Sequence, residues 1–398
     1  MRVAVIGAGA AGCFCAIEIR RRLPESEVVI FEAGDRPLAK VAVTGGGRCN
    51  LTNSFAEVRS LSSVYPRGTQ LMKKALKAFS NIDTMAWFEK EGVRLVTQDD
   101  QCVFPASQDA MQIVRTLLRL LDRHGVEIRT RSRVDRITPG FKVTCNDREE
   151  GFDKVVIATG GSPKMAGMAF LQPLDMEIEP PVPSLFTFNV KDKSLTALMG
   201  AVVDNAAVSI PGTGYKASGP LLVTDWGLSG PAILKLSSYA ARYLSDSQYQ
   251  ASLSVHWLGE KSEQETRDVL EHLKKDNGRK KVSTVCPEGL TSRLWEHILG
   301  RAVLRPDIRW AEIGSKGCNR LVNTINNDQY RIEGKGHFKD EFVTCGGVSL
   351  SNINISTMES KSHPGLFFAG EALDIDAITG GFNLQAAWTT GWIAAQSI

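Results

Sequence analysis

The 398-residue chain contains no apolar run of 18 residues, so the sequence offers no membrane-spanning helix. It has no CxxC pair either. Its eight cysteines (13, 15, 49, 102, 145, 286, 318 and 345) are scattered, with one CxC at Cys13 and Cys15. That spacing does not suit a structural zinc site. Unpaired thiols in a chain this long point to a reducing cytosol rather than a disulfide framework, so a cytoplasmic location is expected. An excess of one charge is also missing. Lys plus Arg number 47 against 44 Asp plus Glu, a net charge of +3, so a nucleic-acid partner is not expected from charge alone. No two of the six histidines fall at i, i+4, and no metal site is expected. A 43% hydrophobic and 23% charged composition excludes a disordered or fibrous chain.

The N-terminus imitates a signal peptide, with Arg2 followed by small apolar residues to Ile17, but three glycines interrupt the run. A different pattern accounts for it. Residues 2–6 (RVAVI) are β-branched without alternation, as in a strand buried on both faces. Gly7-Ala8-Gly9-Ala10-Ala11-Gly12 follows, then a helical stretch closed by Pro24, then a second buried strand, Val28 to Phe31, ending at Glu32. In this G-x-G-x-x-G, Gly7 permits the tight turn, Gly9 the approach of a pyrophosphate, and Gly12 close helix–strand packing. The amides of Ala10 and Ala11 at the helix start attract phosphate. Glu32, with Ala33 beside it, lies twenty residues after Gly12, where a carboxylate accepts from ribose hydroxyls and disfavours a 2′-phosphate.

Only one such fingerprint is present. A buried strand ending in Ala158-Thr159-Gly160 and a late strand ending in Gly370-Glu371 fit one long dinucleotide, FAD, rather than separate FAD and NAD(P)H units. Glu371 and Asp374 would meet ribityl hydroxyls. Gly380-Gly381-Phe382-Asn383 opens the last helix, whose positive end would face the flavin pyrimidine edge. Elsewhere, residues 40–53 read as a glycine-rich loop, 69–90 and 108–124 as helices, and 126–137 and 141–145 as strands. The prolines at 173, 180, 181 and 183 read as a linker, 231–244 as one helix, and Phe342 to Val348 as a returning strand. The basic residues Lys274, Lys275, Arg279, Lys280 and Lys281 read as solvated helix ends.

The run Lys40-Val41-Ala42-Val43-Thr44-Gly45-Gly46-Gly47-Arg48-Cys49-Asn50-Leu51-Thr52-Asn53 resembles the signature of the bacterial BaiN-like or aminoacetone-oxidase-like NAD(P)/FAD-dependent oxidoreductases. Val103-Phe104-Pro105, Gly227 to Pro231, Cys345 to Val348 and Gly365 to Asp374 match as well, in order, across nearly the whole chain. Ala377 departs from the glycine many members carry, and Asp225 from the histidine of some, so no histidine acid or base is carried over.

The resemblance implies an α/β fold: a Rossmann-like, glutathione-reductase-type FAD domain (1–187 and 344–398) split by an inserted domain (188–343). The insert would be β-rich over 188–258 and mostly helical over 259–327. It places Lys40, Thr44, Gly46, Gly47, Arg48, Cys49 and Asn50 near the flavin and its phosphates. Arg48, Cys49 and Asn50 are the weak catalytic candidates. Beside Arg48, the Cys49 thiol could have a lowered pKa, though packing is its simpler role. His337 and His363 flank the returning segment. The expected activity is hydride transfer through flavin N5 between a small-molecule substrate and NAD(P)H as a transient reductant. The alternatives are an oxygen-reoxidised amine-type oxidase and a flavin-dependent RNA-modifying enzyme. Oligomeric state stays open.

Overall fold

The computed structural model describes residues 1–162, 164–336 and 343–398; His337 and the expected strand start at Phe342 lie outside them. The chain forms two compact units, Met1–Val182 with Val343–Ile398, and Pro183–Phe342.

The first unit is built on a seven-stranded sheet. Arg2–Ile6 is the middle one of the sheet's five parallel strands, flanked by Glu27–Phe31 on one side and Lys154–Ile157 on the other. Leu366–Phe368 continues the parallel order beyond Lys154–Ile157, and Glu127–Arg129 continues it beyond Glu27–Phe31. The central strands are buried on both faces, which explains why they lack polar alternation. The helix Ala10–Arg22 packs against the C-terminal helix Phe382–Ser397. Their backbones approach so closely that a Cβ at Gly391 would lie 2.8 Å from the Ala11 carbonyl oxygen. Trp388 is fully buried between Phe14 and Phe88, with ring centroids 5.5 and 5.4 Å away, and donates to Leu51 O at 3.0 Å.

Several elements differ from their sequence reading. The glycine-rich loop begins as a helix, Ala39–Gly47, because Ala39 to Val43 lack a breaker; it departs from helical geometry at Thr44, Gly45 and Gly46. The 69–90 helix is two, Thr69–Ala75 and Asn81–Lys90. The second starts at a Ser80–Asp83 capping box that competes with continuation. The 126–137 strand is also two. Glu127–Arg129 joins the main sheet, while Val134–Thr138 pairs with Lys142–Cys145, which pairs in turn with Arg148–Gly151. The 231–244 helix breaks at Ala240 into Pro231–Tyr239 and Ala241–Asp246.

The proline-rich linker is a strand, Ile178–Ser184, in a two-stranded sheet with Val343–Val348. Proline fixes φ in the extended range and forfeits only a donor, so a ribbon edge tolerates it. The pair runs antiparallel, with Gly346 against Pro180 and Ser349 N donating to Glu177 O at 2.9 Å.

The second unit holds a six-stranded sheet, including Val202–Ser209, Lys216–Val223, Gln250–His256 and Asp328–Glu333. The helices Glu263–Asn277, Ser292–Arg301 and Ser315–Asn326 follow the sheet's fifth strand in sequence. Buried Asp328 accepts from Trp257 Nε1 (3.0 Å), Tyr330 OH (2.6 Å) and Arg301 Nε (2.8 Å), so its charge is compensated. No helix among the described residues is long and apolar enough to cross a membrane.

Trp388→Ala removes a buried indole and its hydrogen bond. We expect a loss of about 3–5 kcal/mol of stability, read by urea denaturation of the full chain.

Candidate functional site

The first strand, turn and helix approach as the fingerprint requires. Gly7 has φ +108°, and a Cβ there would lie 2.4 Å from Ala158 O. A Cβ at Gly12 would lie 2.0 Å from Gly7 O. At Gly9, by contrast, a Cβ would meet nothing within 4 Å, so the backbone is open on that side. The helix has no side-chain N-cap and no acid in its first turn. The amides of Ala10, Ala11 and Gly12 find no acceptor among the described residues, the condition of an anion-binding helix start.

Glu32 ends the neighbouring strand. Its carboxylate accepts from Ala8 N (2.9 Å) and Gly34 N (2.6 Å), which fixes it beside the glycine turn and leaves further lone pairs for hydroxyl donors. Ala33 is exposed next to it.

The 44–50 segment is a tight turn. Gly45, Gly46 and Gly47 have φ of +58°, +69° and +83°, a left-handed series suited to glycine. A Cβ on Gly46 or Gly47 would meet no atom within 4 Å, so this backbone also presents an open face. Thr44 Oγ1 donates to Val41 O at 2.9 Å and anchors the turn. Arg48 is exposed; its guanidinium lies 4.3 Å from the Phe104 ring centroid and donates to Gly45 O at 3.2 Å. Cys49 is fully buried, and burial pushes its thiol up to about 12. The lowered pKa considered for it is therefore corrected: desolvation outweighs the hydrogen bond with Thr44, and the Arg48 guanidinium lies on the Phe104 ring.

This turn is tied to the start of the C-terminal helix. The Asn50 amide, oriented to donate to Thr52 O (3.0 Å), accepts from Gly381 N at 3.2 Å. Asn53 donates to Gly380 O at 3.0 Å, and Tyr65 OH to Phe382 O at 2.8 Å. Phe382 is buried, and the Asn383 amide is used up in two 2.9 Å bonds with the Ala377 backbone. Phe382 and Asn383 thus hold the helix in place. The backbone amides of Phe382, Asn383 and Leu384 find no acceptor among the described residues.

Ala158 is buried at its strand end, Thr159 is exposed, and Gly160 faces Glu371. Gly370 permits approach to Ala11, where its Cβ would lie 3.0 Å from Ala11 Cβ. Glu371 accepts from Thr344 N at 2.7 Å and pairs with Lys40 Nζ at 3.6 Å. Lys40 and Glu371 are thereby joined across the sequence. Asp374 follows on the same segment, where its N–H donates to Val348 O at 2.9 Å. His363 Nε2 lies 2.8 Å from Leu174 O, a structural contact.

Three residues at this site were not legible in the sequence. Thr344 orients Glu371, and Thr52 Oγ1 donates to Gln385 Oε1 at 2.5 Å inside the core. Arg67 pairs with fully buried Asp376, 309 positions away, next to the Asp374 segment. None has a local spacing signal; the polar residues flanking Leu51 and Cys345 were the available hint.

Two uncapped helix starts supply amide donors, the Glu32 carboxylate supplies acceptors and two open glycine backbones leave room, a set suited to a long, doubly phosphorylated dinucleotide.

A family model described as "HI0933-like protein Rossmann domain" matches residues 1–397. The chain is 29% identical over 416 residues to the ribosomal RNA dihydrouridine synthase of Escherichia coli (strain K12), covering 99% of this chain and 97% of the relative. It is 27% identical over 412 residues to the 3-dehydro-bile acid delta(4,6)-reductase of Clostridium scindens, covering 100% and 98%. Among solved structures, it resembles the FrdA chain of a mutant E. coli quinol fumarate reductase at TM-score 0.50 and 13% identity. That match covers 100% of this chain and 69% of the other and shows a shared fold.

Two outcomes follow. Glu32→Ala should weaken FAD binding roughly 10- to 100-fold, through lost charge-assisted hydrogen bonds, as read by flavin retention on dialysis. Cys49, with its thiol raised from 9.0 to about 12, should resist alkylation in the native protein at neutral pH. Because the folded state holds this proton more tightly, Cys49 contributes stability below pH 9 that is lost between pH 9 and 12. Denaturation of wild type and Cys49→Ala across that window reads the difference.

Proposed function

The chain belongs to the HI0933-like Rossmann-domain family, and we propose that it is a reductase that adds hydrogen across a carbon–carbon double bond conjugated to a carbonyl. It is an FAD-dependent oxidoreductase. The finer reading of the acceptor rests on the two relatives' names, and the placing of the cofactor on two uncapped helix starts that share a unit with the Glu32 and Lys40–Glu371 groups.

When bound, FAD supplies two-electron hydride chemistry. The amides of Ala10, Ala11 and Gly12 would hold its pyrophosphate, and Glu32 its adenosine ribose. The open backbone at Gly46 and Gly47 would let the cofactor lie against the turn, with Arg48 at its edge. Lys40 neutralises Glu371, which makes a carboxylate near phosphate tolerable. The free amides of the C-terminal helix favour negative charge beside them and so favour electron uptake there.

The relatives' names support the acceptor chemistry. A dihydrouridine is a uridine whose C5=C6 bond, conjugated to the C4 carbonyl, has gained two hydrogens. The delta(4,6) unsaturation of a 3-dehydro bile acid is likewise conjugated to its 3-oxo group. NAD(P)H is the proposed reductant. A hydride from nicotinamide C4 and a proton from water end on the two alkene carbons, leaving NAD(P)⁺.

The test is anaerobic. NADH or NADPH should bleach the flavin band near about 450 nm, and 2-cyclohexen-1-one, uridine monophosphate or ribosomal RNA should restore it. If only oxygen restores the band, with hydrogen peroxide formed, the oxidase reading replaces this one.

A further inference from the structure

We propose that the second unit carries a docking ridge for the phosphate backbone of RNA, formed by Lys275, Arg279, Lys280, Lys281 and Arg309. This deepens the reading above by naming a polymer as the carrier of the conjugated double bond, and it rests on that reading.

The sequence presents these cations as the end of one helix plus an unrelated later arginine. The structure brings them together. Val282 N donates to Ile308 O at 2.8 Å, Trp310 N to Lys280 O at 3.1 Å, and Ala311 N to Gly278 O at 3.0 Å. Lys281 and Arg309 face each other in an antiparallel bridge. The short ribbon is rigidly based. Val282 and Trp310 are buried, Trp310 stacks on Trp295 at 6.1 Å, and Trp295 Nε1 donates to Val282 O at 2.8 Å. Side chains alternate along extended backbone, so burying Val282 and Trp310 sends their neighbours Lys281 and Arg309 to solvent.

Lys275, Arg279, Lys280, Lys281 and Arg309 are all exposed, and none forms an ion pair among the described residues. Other cations nearby are engaged: Lys274 Nζ donates to Ile313 O at 2.7 Å, and Arg305 pairs with Asp307 at 3.3 Å. Of the local acids, Glu312 accepts from Arg309 N at 2.9 Å and Asp276 stands exposed. The ridge therefore keeps a local positive excess that the net charge of +3 does not reveal.

Five exposed cations at a helix end and on the ribbon that follows it, none with a carboxylate partner among the described residues, suit a repeating anion, and phosphodiester is the repeating anion that also carries uracil. A basic patch for a membrane surface would be expected to pair with an apolar face. The exposed neighbours of this ribbon are mainly polar, apart from Val303.

The experiment uses the full-length flavin-loaded protein and its R279A/K280A/K281A variant, both measured with a fluorescent RNA hairpin of about 30 nucleotides across a salt series. The wild type should bind, and the variant should bind at least ~10-fold more weakly. Its log–log salt slope should be shallower by about 2–3, roughly one unit per lost phosphate contact. Both proteins should reduce 2-cyclohexen-1-one equally. Equal RNA affinity and slope would overturn the ridge, as would wild-type binding no tighter than to heparin, or variant-sensitive binding to anionic lipid vesicles but not to RNA. Loss of cyclohexenone reduction with RNA binding intact would instead overturn the flavin reading and leave the ridge standing.

Discussion

The first unit depends on how closely the turn after its first strand approaches the helix that follows. Side chains at Gly7 and Gly12 would sit inside the van der Waals radii of backbone oxygens. With only hydrogen there, the helix Ala10–Arg22 settles onto the parallel sheet, and its face of small residues lets the C-terminal helix come equally near through Gly391. That second contact positions the start of the last helix, where Asn50, Asn53 and Tyr65 meet the backbone of residues 380–382. A chain of close backbone contacts thus runs from residue 7 to residue 391.

Much of this was readable because it is local. The buried strands carry β-branched runs, the turn carries glycines at fixed offsets, and Glu32 lies one strand on. What stayed hidden depends on partners far apart in sequence. Lys40 finds Glu371, Arg67 finds Asp376, and Thr344 finds Glu371, and no spacing rule announces such pairs. Other misreadings came from competing local chemistry. Ser80 and Asp83 start a new helix where hydrophobic pattern suggested a continuous one. Prolines taken as a break occupy an extended edge. At Cys49, where adjacency to Arg48 left a lowered pKa open beside the simpler packing role, burial decides for packing.

Electrostatics in this protein is local rather than global. The near balance of charges says little, while its arrangement says more. Acids near the glycine turns are held by backbone amides or by lysine, so they bring acceptors without an uncompensated negative field. In the second unit, Asp328 is wholly consumed by three donors, whereas the cations beside Trp310 are left to solvent. The same residue types therefore stabilise the core in one place and remain available in another.

The antiparallel pairing of Ile178–Ser184 with Val343–Val348 has a topological consequence. It makes everything between those strands the loop of a single β-hairpin. Loop-closure entropy grows only with the logarithm of length, so such a loop can hold an entire folded unit at modest extra cost. Exchange of that unit for another, or its removal in favour of a tight turn, would leave the hairpin register unchanged. The hairpin neck is thus a natural seam at which one folded unit can be exchanged while the parallel sheet stays unaltered.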